Sequence, residues 1–192
     1  MKTLRCKIIG IAPLLMHNGQ LADPLNPVAR KIKEISSKRK KVDADFEEMA
    51  KLEWFGSLYS KDGRIVIPAT NLEAMLIGKG SSARKVKMGK QAAAAVFVTD
   101  DAPLEYDGPT DLEKLYEDKR FVYRVAVVVN GNRVLRTRPM FEELGASFEI
   151  AFDPELLNQE HIERWVRVAG EQVGLMEWRP RWGRFRIESL GE

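Results

Sequence analysis

Between Gly78 and Lys90 lie Lys79, Arg84, Lys85, Lys87 and Lys90, with no acidic residue among them and with Gly78, Gly80 and Gly89 interleaved. Ammonium and guanidinium groups on a glycine-rich backbone can approach a phosphate chain closely, although a run of like charge can also be a solvated loop. A second set is Arg133, Arg136 and Arg138. Strand alternation puts Arg136 and Arg138 on one face, where they suit a phosphate backbone or stacked bases, or else pair with nearby Glu142 or Glu143. A third set is Arg179, Arg181 and Arg184, interleaved with Trp178 and Trp182 between Gly174 and Gly183. Arginine and tryptophan together can neutralise phosphates and stack on bases, while the two indoles could equally pack over a sheet edge.

Constellations for covalent chemistry are sparse. His17 and Asp23 share one loop and could act in RNA cleavage, but a histidine there also caps or packs, and an aspartate before Pro24 is an ordinary turn former. Asp100-Asp101 could hold a magnesium ion or form a solvated turn before Pro103. With one cysteine, Cys6, and two histidines, His17 and His161, the chain has no disulfide framework of its own and little material for a zinc site. Neither a metal nor a cofactor is expected, and no residue is assigned as catalytic.

The elements that must position these groups follow from periodicity. Leu4 to Ile11 alternates as a strand ended by Pro13, and Leu14 to Pro27 reads as a loop. Val28, Ile32 and Ile35 have helical spacing until Lys38-Arg39-Lys40-Lys41 interrupts it, and the pattern resumes from Phe46 to Trp54. A hairpin is expected around Lys61-Asp62-Gly63, and a helix capped by Thr70 with Glu73 through Met75 and Leu76. Phe121 to Val129, the turn Asn130-Gly131 and Arg133 to Arg138 form a second hairpin, and Ala146 to Phe152 another strand. Asp153-Pro154 reads as the start of a helix carrying Ile162, Trp165, Val166, Ala169 and Val173, followed by a strand from Gly183 to Leu190.

This order predicts an α+β fold of RRM/ferredoxin-like type, a split βαβ core with an antiparallel sheet and an inserted helical and hairpin extension. One domain over residues 1–192 is expected, with 20–64 and 78–91 as insertions or loops on the core. The net charge of +3 is too small to name a partner by itself. The first residues alternate basic and apolar side chains and no apolar run reaches a membrane-spanning length, so a cytoplasmic protein without membrane contact is expected.

Three stretches carry a family resemblance. Val173-Gly174-Leu175-Met176-Glu177-Trp178-Arg179-Pro180-Arg181-Trp182-Gly183-Arg184-Phe185 resembles the glycine-rich loop of the RAMP superfamily, whose members form the guide-binding backbone of CRISPR effector complexes. Ile67-Pro68-Ala69-Thr70-Asn71-Leu72 resembles the proline-bearing start of that fold's first helix, and Ile11-Ala12-Pro13-Leu14-Leu15-Met16 its first strand and following loop. The resemblance implies an RRM-like palm and a flexible extension gripping single-stranded or guide RNA. It also implies side-by-side assembly with other subunits of a ribonucleoprotein, in an antiviral defence complex or as a solitary phage or mobile-element relative. It places the Gly174 to Phe185 loop, and more loosely Gly78 to Lys90, on the RNA. In some relatives an aspartate of the loop after the first strand cleaves RNA, and Asp23 holds a comparable place. Two other readings stay open: an endoribonuclease using Asp23 or His17, and a scaffold protein of a phage-like assembly whose basic loops contact protein.

Overall fold

The computed structural model describes residues 1–191. In chain order the first elements are β1 (Lys2–Gly10), β2 (Leu14–Leu15), α1 (Pro27–Ser37), α2 (Asp43–Ser57), β3 (Ser60–Lys61), β4 (Arg64–Ile67) and α3 (Ala69–Ile77). There follow α4 (Ser82–Lys85), α5 (Gly89–Ala95), β5 (Val96–Phe97), β6 (Ala102–Glu105), α6 (Leu112–Glu117), β7 (Val122–Val129) and β8 (Asn132–Phe141). The last are β9 (Gly145–Phe152), α7 (Gln159–Val168), a π-helical turn (Ala169–Val173) and β10 (Phe185–Gly191). The protein is α+β with antiparallel sheets.

The chain divides into two compact units, one of Met1–Leu14, Ser60–Asp107 and the residues from Glu142 onward, the other of Leu15–Tyr59 and Gly108–Phe141. Of the stretch 20–64 expected as an insertion, residues 20–59 therefore fall in the second unit and 60–64 in the first.

The first unit holds a sheet in the order β10-β1-β9-β6-β4-β3, with β5 also paired to β9. Alternation along β1 and β9 buries Leu4, Cys6 and Ile8 beside Phe148, Ile150 and Phe152, and leaves Arg5 facing Glu149 at 3.1 Å on the other face. Burial pushes the Cys6 thiol up to about 12, so this cysteine is a core residue rather than a nucleophile. Ile162, Trp165 and Val166 form the buried stripe of α7. Two helix starts differ from expectation. α3 begins at Ala69 rather than after Thr70, because the Asp101 carboxylate accepts the Ala69 N–H at 2.9 Å, while Glu73 accepts the Val98 N–H at 3.2 Å instead of reaching back to Thr70. α7 begins after Asn158, whose side chain accepts the His161 N–H at 3.0 Å; Asp153 is occupied in a local turn, accepting the Glu155 N–H.

In the second unit β7 and β8 pair antiparallel, and their hairpin turns at Asn130 and Gly131, both at positive φ (49° and 81°), as a two-residue turn with this sequence requires. Helix α2 packs on β8. Its Trp54 is fully buried, donates its indole N–H to the Phe121 carbonyl at 2.8 Å and meets Tyr116 edge-on. α1 opens at Asn26, whose side chain accepts the N–H groups of Val28 and Ala29, and closes before Lys38 as the charge run begins. Helix α6, started by Asp111 accepting the Lys114 N–H, lies in a stretch where the periodicity reading placed no element.

Candidate nucleic-acid interface

The segment from Gly78 to Lys90, expected as a loop without periodicity, holds the short helix α4 and the start of α5, joined by turns. Gly80 turns the chain at φ 77°. Ser81, Ser82 and Ala83 are then fully buried, and α4 packs against α7 and the π-helical turn. The burial of small residues fixes the backbone, and the long side chains project outward: Lys79, Arg84, Lys85, Lys87 and Lys90 are all exposed. None of the five makes an ion pair within 4.0 Å among the described residues. A rigid base carrying solvated cations retains its charge for an external anion and loses little backbone entropy when one binds.

The π-helical turn against which α4 packs runs into the second candidate loop. Gly174 (φ 75°) and Gly183 (φ 69°) close its neck, where the Leu175 N–H donates to the Gly183 carbonyl at 2.9 Å and the Gly183 N–H donates to Pro13 at 2.8 Å. Side chains are impossible here without displacement, since a Cβ at Gly183 would lie 2.0 Å from the Leu175 carbonyl oxygen. Within the loop the Trp178 carbonyl accepts the N–H groups of Arg181 and Trp182, and the two indoles meet edge to face with centroids 5.2 Å apart. Trp178 keeps 37% of its surface exposed, and Arg179 and Arg181 are exposed beside it. Arg184 is different: half-buried, it donates from Nη2 to the Glu171 carbonyl at 2.7 Å and holds the end of the last helix.

The third set lies in the second unit. Arg136 and Arg138 do share one face of β8 and line one groove. The partner of Arg136 is Glu53 on α2, at 3.0 Å, not Glu142 or Glu143; the other Glu53 oxygen accepts the N–H of buried Thr137 at 2.8 Å. Arg136 thus fastens the hairpin to α2, whereas Arg133, near the tip, is exposed.

Among the residues considered for catalysis, Asp23 is exposed and accepts the Leu25 N–H at 2.8 Å in a tight turn. His17 is half-buried in the wall of the same groove as Arg138. Asp101 caps α3 and lies 3.4 Å from the Lys61 ammonium, and Asp100 accepts the Thr99 hydroxyl. Among the described residues no group of three or more His, Cys, Asp or Glu side chains is placed to hold a metal ion, and no helix is long and apolar enough to cross a membrane. The groove is also lined from α1 by Ala29, Ile32, Lys33 and Ser36; of these only Ile32 belongs to the helical pattern Val28, Ile32 and Ile35, and none was assigned to a site. No protein-family model and no curated protein matches the chain.

Proposed function

We propose that the protein is a non-catalytic RNA-binding subunit of a cytoplasmic ribonucleoprotein, binding single-stranded or guide RNA through the first unit and assembling with other subunits along it. The observation that carries this reading is the set of five exposed cations around the buried Ser81–Ala83 segment, which make no ion pair among the described residues, an arrangement that suits sequence-independent phosphate contact. Arg179, Arg181 and half-exposed Trp178 extend it with groups that hydrogen-bond and stack. An RRM-like core is supported by strand order at one edge of the sheet: β1 lies between β9 and β10, the strands flanking α7. That helix-linked strand pair is thereby split by a third strand. Membership of the RAMP superfamily rests on the three sequence resemblances.

The test compares Arg179→Lys/Arg181→Lys with Arg179→Ala/Arg181→Ala in fluorescence anisotropy on a labelled single-stranded RNA. Both doubles should fold, and both should bind more weakly than the parent, the alanine pair most. Parent-like binding by the alanine pair would remove this loop from the interface.

A further inference from the structure

We propose that the groove bounded by α1, α2 and the β7–β8 hairpin, within the second unit, is a docking site for an acidic amphipathic helix of a partner protein. The groove encloses about 630 Å³ and has aliphatic walls: Ala29 and Ile32 from α1, Met49 from α2, and Val127, Val129 and Val134 from the hairpin. Strand alternation sends Val127 and Val129 to the same face. Val129 nevertheless leaves 38% of its surface exposed, and an apolar cleft left in water is a usual mark of an interaction site.

The lining selects the occupant in two ways. Among the described residues no Phe, Tyr or Trp lines the groove, so a nucleobase would find no ring to stack on. Branched and flexible aliphatic side chains instead match the leucine or isoleucine ridge of a helix laid in a groove. The charges along the walls are Lys33, Arg136 and Arg138 against the single carboxylate of Glu53, with His17 beside them. Both Glu53 oxygens are already engaged, by Arg136 and by the Thr137 N–H, while exposed Lys33 makes no ion pair among the described residues, so the wall keeps a positive charge for an occupant. An occupant with an apolar ridge flanked by Asp or Glu satisfies both features.

The probe is a labelled helical peptide of Leu and Glu with leucines at i, i+3, i+4 and i+7, compared with a Lys-for-Glu peptide and with a scrambled peptide of the same composition. The Leu/Glu helix should bind saturably in fluorescence anisotropy, more tightly than either control and without displacement by single-stranded RNA. Ile32→Ser should weaken it about tenfold, the scale of one lost apolar anchor. Lys33→Glu, an exposed change, should lower affinity for the Leu/Glu helix and raise it for the Leu/Lys helix; circular dichroism melting verifies that both variants fold. Should Ile32→Ser unfold, the charge exchange at Lys33 still decides. The proposal is overturned by absence of saturable binding, by equal binding of the scrambled peptide, by an unchanged preference in Lys33→Glu, or by displacement with RNA, which would make the groove a nucleic-acid site.

Discussion

Trp54 in α2 and Trp165 in α7 are both fully buried, yet their indole N–H groups are in opposite situations. That of Trp54 donates to the Phe121 carbonyl at 2.8 Å; that of Trp165 is buried with no hydrogen-bond partner among the described residues. Phenylalanine at each position separates packing from hydrogen bonding. The volume removed is the same, roughly 40 Å³, and at about 24 cal/mol per Å³ of residual cavity costs about 1 kcal/mol at either site. At Trp54 the change also strips a buried carbonyl of its donor, adding about 1–2 kcal/mol. At Trp165 it removes an unsatisfied donor and recovers a comparable amount. Trp54→Phe should therefore destabilise by about 2–3 kcal/mol and Trp165→Phe by less than about 1 kcal/mol. Alanine at either position should cost about 3–5 kcal/mol. Urea unfolding followed by far-UV circular dichroism gives these differences. Equal costs for the two phenylalanine variants would refute the reasoning, because packing loss alone would then explain both.

The Cys6 thiol, raised to about 12 by burial, should not react with a thiol reagent at pH 8 in the folded protein; it should react on unfolding, when it returns to its ordinary 9.0. The Asp45 carboxyl is held below its ordinary 3.8 by the Lys38 ammonium and the Val42 N–H. Its contribution is present above pH 3.8 and fades as the pH falls through the lowered value, so Asp45→Asn should flatten the decline of Tm on acidification through that range. Parallel declines in parent and variant would contradict this. Gly183→Ala should destabilise by at least about 2 kcal/mol through left-handed strain and overlap, since its Cβ would meet the Leu175 carbonyl. Gly131→Ala, with open space around an equally positive φ, should cost only about 1 kcal/mol; similar losses at both would place the cost in φ alone.

Features with local causes were legible in the sequence. The alternation of β1, the Asn130-Gly131 turn and the end of α1 at the Lys38 charge run each depend on neighbours within a few residues. What escaped depends on distant partners. Ser81 and Ser82 read as loop residues because their burial comes from the packing of α4 on α7. The start of α3 is set by Asp101, 32 residues away, and the partner of Arg136 is Glu53, 83 residues away. The candidate cations follow the same division. Lys79, Arg84, Lys85, Lys87 and Lys90 could be read as free because no acid lies among them in the sequence. The structural tie of Arg184 runs to a backbone carbonyl, that of Glu171, which no pattern of side-chain types reveals.

The central claim, that the exposed cations following Gly78 grip RNA phosphates, is tested most directly by the salt dependence of single-stranded RNA binding in the parent and in Lys79→Ala/Arg84→Ala/Lys85→Ala/Lys87→Ala. Each phosphate contact contributes about 0.7 to the slope of log affinity against log salt, so the variant's slope should be shallower by about 2–3 if most of the four make contact. Its affinity should fall at low salt and approach the parent's at high salt, with an unchanged melting temperature because all four side chains are exposed. A folded variant with the parent's slope and affinity would contradict the account.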